Sequence, residues 1–237
     1  MDKTKYVLKI GGSLFFDENL NLRQSQIEKF TQVLKKSQIV GAVVVGGGKL
    51  ARTYINAARS LNSDEADCDS FGIGVSRLNS KLLISALKER AFPEPITTVK
   101  EARVNSLWGR IIVAGGFIPG QSTTSVTFEI AESIGASNVL ILTNVDGIYD
   151  KDPGKFADAK KIDEITIKDL EELIYGQGGS DQSAAGEYRI LDAVSFQIMK
   201  RSKLNVRLMG GEDIAGLERI LIKEDPNAKI GTTILRK

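Results

Sequence analysis

The stretch Gly41-Ala42-Val43-Val44-Val45-Gly46-Gly47-Gly48-Lys49 sets a nearly pure valine run directly against three consecutive glycines. A segment apolar at every position, rather than at alternate ones, suits a strand whose two faces are both covered by helices in a parallel sheet. The same order of apolar strand, glycine loop and helix recurs along the chain. Tyr6 to Ile10 runs into Gly11-Gly12-Ser13, and Arg110 to Ala114 runs into Gly115-Gly116-Phe117-Ile118-Pro119-Gly120. Asn138 to Leu142, Val206 to Met209 and Thr232 to Leu235 read as further strands, and Thr143 to Pro153 as turns. Between them the apolar spacing predicts helices. Gln24 to Leu34 carries Ile27, Phe30, Val33 and Leu34 as one stripe, and Lys49 to Leu61 is interrupted by Asn62-Ser63-Asp64. Arg77 to Arg90 is expected to turn Leu78, Leu82, Ala86 and either Leu83 or Leu87 inward. Thr124 to Ile134, Ile167 to Leu173, Leu191 to Ser202 and Asp213 to Leu221 complete the set. This rhythm predicts an α/β fold, an open and mostly parallel sheet with helices on both faces. Ligands of such a sheet sit beyond the carboxyl ends of its strands.

Composition narrows the chemistry. With 237 residues, 42% hydrophobic and 26% charged, the chain can bury a full core without disulfides. Its one cysteine, Cys68, cannot pair within the chain, which excludes an oxidised framework and a cysteine-based zinc site. A formal charge of +2 is too balanced to suggest a nucleic-acid surface. There is no run of 18 apolar residues and no exported leader, because Lys3 and Lys5 run straight into a strand; the expectation is a cytoplasmic protein. Histidine is absent, and with it the commonest general base and transition-metal ligand. What remains, Lys, Arg, Asp, hydroxyls and backbone, is suited to phosphate.

One glycine pair after a strand is as readily a tight turn as a binding loop. Three together would bring side-chain-free N–H groups to one sheet edge, beside helix N-termini where anions bind. Neither standard nucleotide motif fits, since a Walker loop would need glycine at Val43 and a hydroxyl at Leu50, and the dinucleotide fingerprint lacks its third glycine. Lys9, flanked by apolar residues next to Gly11-Gly12, is either a snorkelling sheet-edge lysine or an ammonium over phosphoryl oxygens. Arg52, four residues after Gly48, would stand beside the glycine N–H groups as the second prong of a phosphate clamp. Arg77 reads more simply as a surface arginine. Asp69 ends an acidic stretch, Asp64 to Asp69, most of it a solvated face. Thr143-Asn144-Val145-Asp146-Gly147-Ile148-Tyr149-Asp150-Lys151-Asp152-Pro153 combines the hydroxyl, amide, aromatic and carboxylate groups that a nucleotide base and ribose require. The segment from Tyr175 to Ala185 has the composition of a mobile loop.

Taken in order, these motifs resemble the amino acid kinase superfamily, and most closely its archaeal uridylate kinase branch. The resemblance rests on Lys9 to Ser13, Gly46 to Arg52, Phe71-Gly72-Ile73 with Arg77-Leu78-Asn79, Gly115 to Thr123, Thr143 to Pro153, and Ala185 to Tyr188 leading to Leu191-Asp192. It implies one three-layer αβα sandwich over residues 1–237, with an acceptor part at about 1–122 and an ATP part at about 123–237. It further implies transfer of a phosphoryl group from ATP to UMP with Mg2+, a homohexamer built from dimers, and inhibition by UTP. Carried over by motif, Lys9, Gly11 and Gly12 would hold the moving phosphoryl group. Gly47, Gly48 and Arg52 would take the UMP phosphate and Asp69 its sugar. Gly116, Phe117, Ile118, Pro119, Gly120, Gln121, Ser122 and Thr123 would take acceptor base and phosphate. Lys9, Gly12, Ser13, Thr143, Asn144, Tyr149 and Asp152 would line the ATP site, and no residue is assigned to a metal. Thr124 stands where bacterial members carry an acidic residue, which favours the archaeal branch.

Two other readings compete. One is a relative acting on isopentenyl phosphate or on a carboxylate or carbamate, against which stand the missing histidine and the short chain. The other is a non-catalytic storage or regulatory protein on the same fold, against which stand Lys9, Arg52, Thr123 and Asp152. The stripe of Ile27 and Phe30 on the first helix is also a candidate assembly surface, if the sheet leaves it uncovered.

Overall fold

The computed structural model describes residues 6–151, 153–175, 191–225 and 228–236. Its centre is a seven-stranded sheet. β1 (Tyr6–Ile10) is flanked by β2 (Val40–Val45) on one side and β4 (Asn138–Thr143) on the other, and β3 (Ile112–Ala114) lies outside β2. Beyond β4 follow β8 (Asn205–Gly210), β9 (Thr232–Leu235) and β7 (Glu164–Thr166). All neighbouring pairs are parallel except β8 with β9. β5 (Ile148–Tyr149) and β6 (Lys161–Ile162) form a separate antiparallel ribbon.

Helices cover both faces, as the all-apolar strands require. One face carries α1 (Gln24–Lys36), α3 (Glu65–Leu87) and α8 (Ile214–Leu221), packed over Leu8, Ile10, Val43, Val45, Leu140 and Leu142. The other carries α4 (Val99–Asn105), α5 (Thr123–Ser133), α6 (Ile167–Tyr175) and α7 (Ala193–Arg201), over Val7, Ala42, Val44, Val139 and Ile141. α2 (Gly48–Ser60) packs against α3 and buries only Ala51 and Ala58. The three-layer sandwich is therefore present, and α5, buried on nearly every side, is its most enclosed helix.

Three expectations need correction. The helix expected from Arg77 begins at Glu65, because the Asp64 side chain caps it by accepting from the Asp67 N–H at 2.8 Å, and Glu65 and Asp67 suit the positive end of the dipole. Its inward face is also different. Leu83, Ile84 and Leu87 are buried, whereas Leu78 is 61% exposed and Leu82 is exposed too. The buried stripe continues through Ser76, Asn79 and Ser80, polar residues that hydrophobic spacing does not count. Finally, Ile27 and Phe30 of α1 lie in the core, Phe30 at 0% exposure, so that stripe offers no assembly surface. α4, β5, β6 and β7 are too short to leave a periodic signal.

Candidate functional site

The strand order places β1 at the point where neighbouring connections leave in opposite directions, towards β2 and β3 on one side and β4 on the other. Ligands of open α/β sheets bind in the crevice at such a switch point. Gly11 and Gly12 occupy it. The Gly11 N–H donates to the Leu142 carbonyl at 2.9 Å, and a Cβ on Gly11 would meet that same oxygen at 3.1 Å. Gly12 faces the other way: a Cβ there would lie 2.2 Å from the Gly48 nitrogen and 2.4 Å from the Gly46 oxygen. Gly48, at φ +66°, returns the contact, its Cβ position being 2.3 Å from the Gly12 carbonyl carbon. The first two glycine loops thus touch backbone to backbone, which a side chain on either would forbid. Asn79, 2% exposed, steadies this seam by donating to the Gly46 carbonyl at 2.9 Å.

The third loop closes on the second. A cavity of ≈ 160 Å³ is lined by Gly47, Gly48, Ala51, Asp69, Gly72, Ile73, Ser76, Gly116, Gln121 and Thr123. Thr123, the first residue of α5, has its hydroxyl 3.6 Å from where a Gly46 Cβ would be. Asp69 reaches across from α3 and accepts from the Gly120 N–H at 2.7 Å. Arg52 stands exposed one turn into α2. Phe117 turns its ring into the core, leaving only its backbone for a ligand, while Ile118, Pro119 and Gly120 form the exposed lip of the loop. Ser122 caps α5 by accepting from the Ser125 N–H at 3.1 Å, so its hydroxyl already has a structural task. A larger cavity of ≈ 360 Å³, lined by Tyr6, Asn138, Asn205 and Arg236 among others, lies at the amino-terminal ends of the strands, away from the glycine loops.

On the β4 side, Thr143 is buried and donates to the Asn144 amide oxygen at 3.1 Å, with Asn144 exposed. The following turn leads into β5, where the Tyr149 hydroxyl donates to Asp146 at 2.6 Å and Lys161 of β6 pairs with the same carboxylate at 3.3 Å. Ser13 lies in the short 3-10 turn that follows Gly11. The structure accordingly brings Gly12, Gly47, Gly48, Asp69, Gly116, Gln121 and Thr123 together, with Lys9 and Gly11 on the neighbouring end of β1 and Thr143 at the end of β4. Asp152, the motif Ala185 to Tyr188 and the segment Gly176 to Ser183 lie outside the described residues.

A family model described as the amino acid kinase family matches residues 4–210. The chain belongs to the amino acid kinase family. Within that family it is 40% identical to the uridylate kinase of Methanobrevibacter smithii over 98% of this chain and 100% of that protein. The crystal structure of uridylate kinase from Archaeoglobus fulgidus superposes with a TM-score of 0.78 at 34% identity, covering 97% of this chain and 99% of that one. An isopentenyl phosphate kinase structure from T. acidophilum has a TM-score of 0.70 at 22% identity, over 98% of this chain and 100% of that one, and shares the fold.

Two groups of this amino acid kinase have their protonation shifted by their surroundings. Lys9, one residue before the carboxyl end of β1, lies in register with Val44 of β2 and Ile141 of β4. Burial lowers its pKa to about 8, because an ammonium is disfavoured where water is excluded. It remains mostly charged at neutral pH. Asp146 is partly buried, which acts to raise its pKa, but the Tyr149 and Lys161 bonds outweigh this and hold it below the ordinary carboxylate value. Sequence reasoning missed Ser76, whose hydroxyl accepts from the Gly116 N–H at 2.8 Å. It also missed a buried network in which Ser125 donates to Asp192 at 2.7 Å, while the Asp192 carboxylate caps α7 through the Ser195 N–H at 2.7 Å. The only signal for these was serine and asparagine inside otherwise apolar helical stripes. Among the described residues no helix is long and apolar enough to cross a membrane.

Proposed function

We propose that the chain is an ATP-dependent UMP kinase that transfers the γ-phosphoryl group of ATP to UMP, giving UDP and ADP for pyrimidine nucleotide synthesis in the cytoplasm. The observation that carries this is the backbone contact of Gly12 with Gly46 to Gly48, which sets the β1 loop directly beside the cavity that Asp69, Gly116 and Thr123 line. An acceptor phosphate in that cavity would meet the N–H groups of Gly47 and Gly48 at the N-terminus of α2, with Arg52 gripping its non-reacting oxygens. Asp69 accepts the sugar hydroxyls, and the loop Gly116 to Gln121 holds the base. ATP lies on the β4 side, against Ser13, Thr143, Asn144, Tyr149 and Asp152. This division corresponds to an acceptor part at about 1–122 and a donor part at about 123–237.

A phosphate monoester is already a competent nucleophile near neutral pH, so no side chain has to take its proton. The step needs alignment of acceptor and donor, and positive charge where the moving phosphoryl group develops negative charge. Lys9 and the Gly12 N–H supply these from the rigid end of a central strand, while Gly11, its own N–H engaged by the Leu142 carbonyl, shapes the turn that presents them. A magnesium ion arriving with ATP would be held chiefly by phosphate oxygens and water. Bound with ATP, magnesium supplies charge that offsets the donor phosphates.

Assembly as a homohexamer, a trimer of dimers, needs two separate contact surfaces, and two apolar patches support it. Tyr54 and Phe71 stack at 6.2 Å beside exposed Leu78 on the α2–α3 face, where a groove of ≈ 560 Å³ opens. Val104 in the last turn of α4 and Leu107 and Trp108 just after it are exposed. A second copy of this chain is the occupant proposed for each, and UTP is expected to compete at the acceptor cavity. The deciding experiment is ADP release measured across UMP, CMP, dTMP, AMP and isopentenyl phosphate. UMP should give the highest kcat/KM, and faster turnover of isopentenyl phosphate would overturn the reading.

A further inference from the structure

On α3, Asp69 lies about two helical turns before the adjacent pair Ser76 and Arg77, and all three reach the loop that follows β3. The Arg77 guanidinium donates through Nε to the Gly116 carbonyl at 3.0 Å and through Nη2 to the Phe117 carbonyl at 2.9 Å. Ser76 takes the Gly116 N–H at 2.8 Å, and Asp69 takes the Gly120 N–H at 2.7 Å. The loop and helix are also in close contact without side chains, since a Cβ on Gly115 would lie 2.7 Å from the Arg77 nitrogen. A trans peptide unit points its carbonyl and its N–H in opposite directions. Holding the carbonyls of Gly116 and Phe117 against one guanidinium therefore turns the N–H groups of Phe117 and Ile118 the other way.

We infer that Arg77 is a positioning residue of the acceptor site. It fixes two successive peptide planes of the acceptor loop, so that the loop is preset for the phosphorylated substrate, and makes no contact with that substrate itself. The inference rests on the reading of the cavity beside Gly47, Asp69 and Gly116 as the acceptor site. Arginine suits this task because a planar fork spans two neighbouring carbonyls with little further ordering, whereas an ammonium is a single point of charge. A loop that has lost this tie must be ordered at each binding event, and the cost falls on acceptor binding and alignment rather than on ATP.

The test measures UMP and ATP saturation separately for Arg77→Ala, Arg77→Lys and Ser76→Ala, with Arg52→Ala alongside. Arg77→Ala should raise the KM for UMP by about 10- to 100-fold and leave that for ATP within about threefold. Arg77→Lys should fall between parent and alanine variant. If Arg77→Ala does not fold, Arg77→Lys and Ser76→Ala carry the test, and each should raise the UMP KM more than the ATP KM. Unchanged UMP kinetics in the folded Arg77 variants, with Arg52→Ala still impaired for UMP, would overturn the positioning role and leave the acceptor reading standing. If Arg52→Ala and Arg77→Ala both impaired ATP instead, the acceptor reading itself would fall.

Discussion

Replacing Gly12 with alanine tests the seam at the centre of the site. The added methyl would lie 2.2 Å from the Gly48 nitrogen, 2.4 Å from the Gly46 oxygen and 2.5 Å from the Gly47 carbonyl carbon. Ordinary carbon contacts are about 3.5 Å or more, so the two loops must part by roughly 1 Å. The obstructing atoms are all backbone, and none can rotate aside as a side-chain tip would. Gly46 is held from behind by its own N–H bond to the Ile10 carbonyl at 2.9 Å and by Asn79 at 2.9 Å, so separation strains those bonds as well. Overpacking of this kind costs about 1 to 3 kcal/mol in stability. A displacement of about 1 Å between donor and acceptor groups costs on the order of 10²-fold in rate. Thermal unfolding and steady-state kinetics on Gly12→Ala should therefore show a lowered Tm with folding retained, and a kcat reduced by about 100-fold at saturating UMP and ATP. A kcat within threefold of the parent would refute the claim that this contact sets the reacting geometry.

Lys9→Ala should lower kcat by about 10² to 10⁴-fold with KM values little moved, if its ammonium acts mainly in the transition state. Because burial holds the free lysine at about 8, kcat/KM for ATP should fall as pH rises through that value, whereas Lys9→Arg, slower but always charged, should lose this alkaline limb. Asp192→Ala should destabilise the fold by about 2 kcal/mol at pH 7 by removing the α7 cap and the partner of Ser125. Burial acts to raise the Asp192 pKa, but its hydrogen bonds prevail and hold it below the ordinary value. Its contribution is thus present above the ordinary carboxylate pKa and lost as pH falls through the folded one, so urea titrations should show the gap between variant and parent narrowing in acid. Leu78→Glu should shift the sedimenting species of the protein to a smaller one, and a parent that sediments as a clean 25.8 kDa monomer at micromolar concentration would overturn the proposed assembly.

The architecture was legible because its signals are local. A strand buried on both faces has to be apolar at every position, and Val43 to Val45 followed by Gly46 to Gly48 states both the strand and the glycine loop at its carboxyl end within six residues. Lys9 beside Gly11-Gly12, and Arg52 one turn after Gly48, are proposed by spacing alone, and kinetics on their variants decide their roles. What the sequence could not decide was the inward face of α3. Ser76, Asn79 and Ser80 are buried there, and two of them are satisfied by peptide groups from distant loops: Asn79 by Gly46, 33 positions back, and Ser76 by Gly116, 40 positions ahead. A polar side chain is stable in a core only when such a partner arrives, and no periodicity announces a partner that folding brings from elsewhere. Arg77 and Asp69 follow the same rule. Each reads as surface charge until the chain returns through β3 and lays Gly116 to Gly120 across α3. The fate of Phe30 was equally non-local, since only the packing of α1 between α3 and α8 decides whether its stripe is core or interface. Strands and glycine turns are written in neighbouring residues; which polar groups of α3 serve the loop, and which apolar ones stay in solvent, is decided by contacts that exist only once the sheet has brought distant segments together.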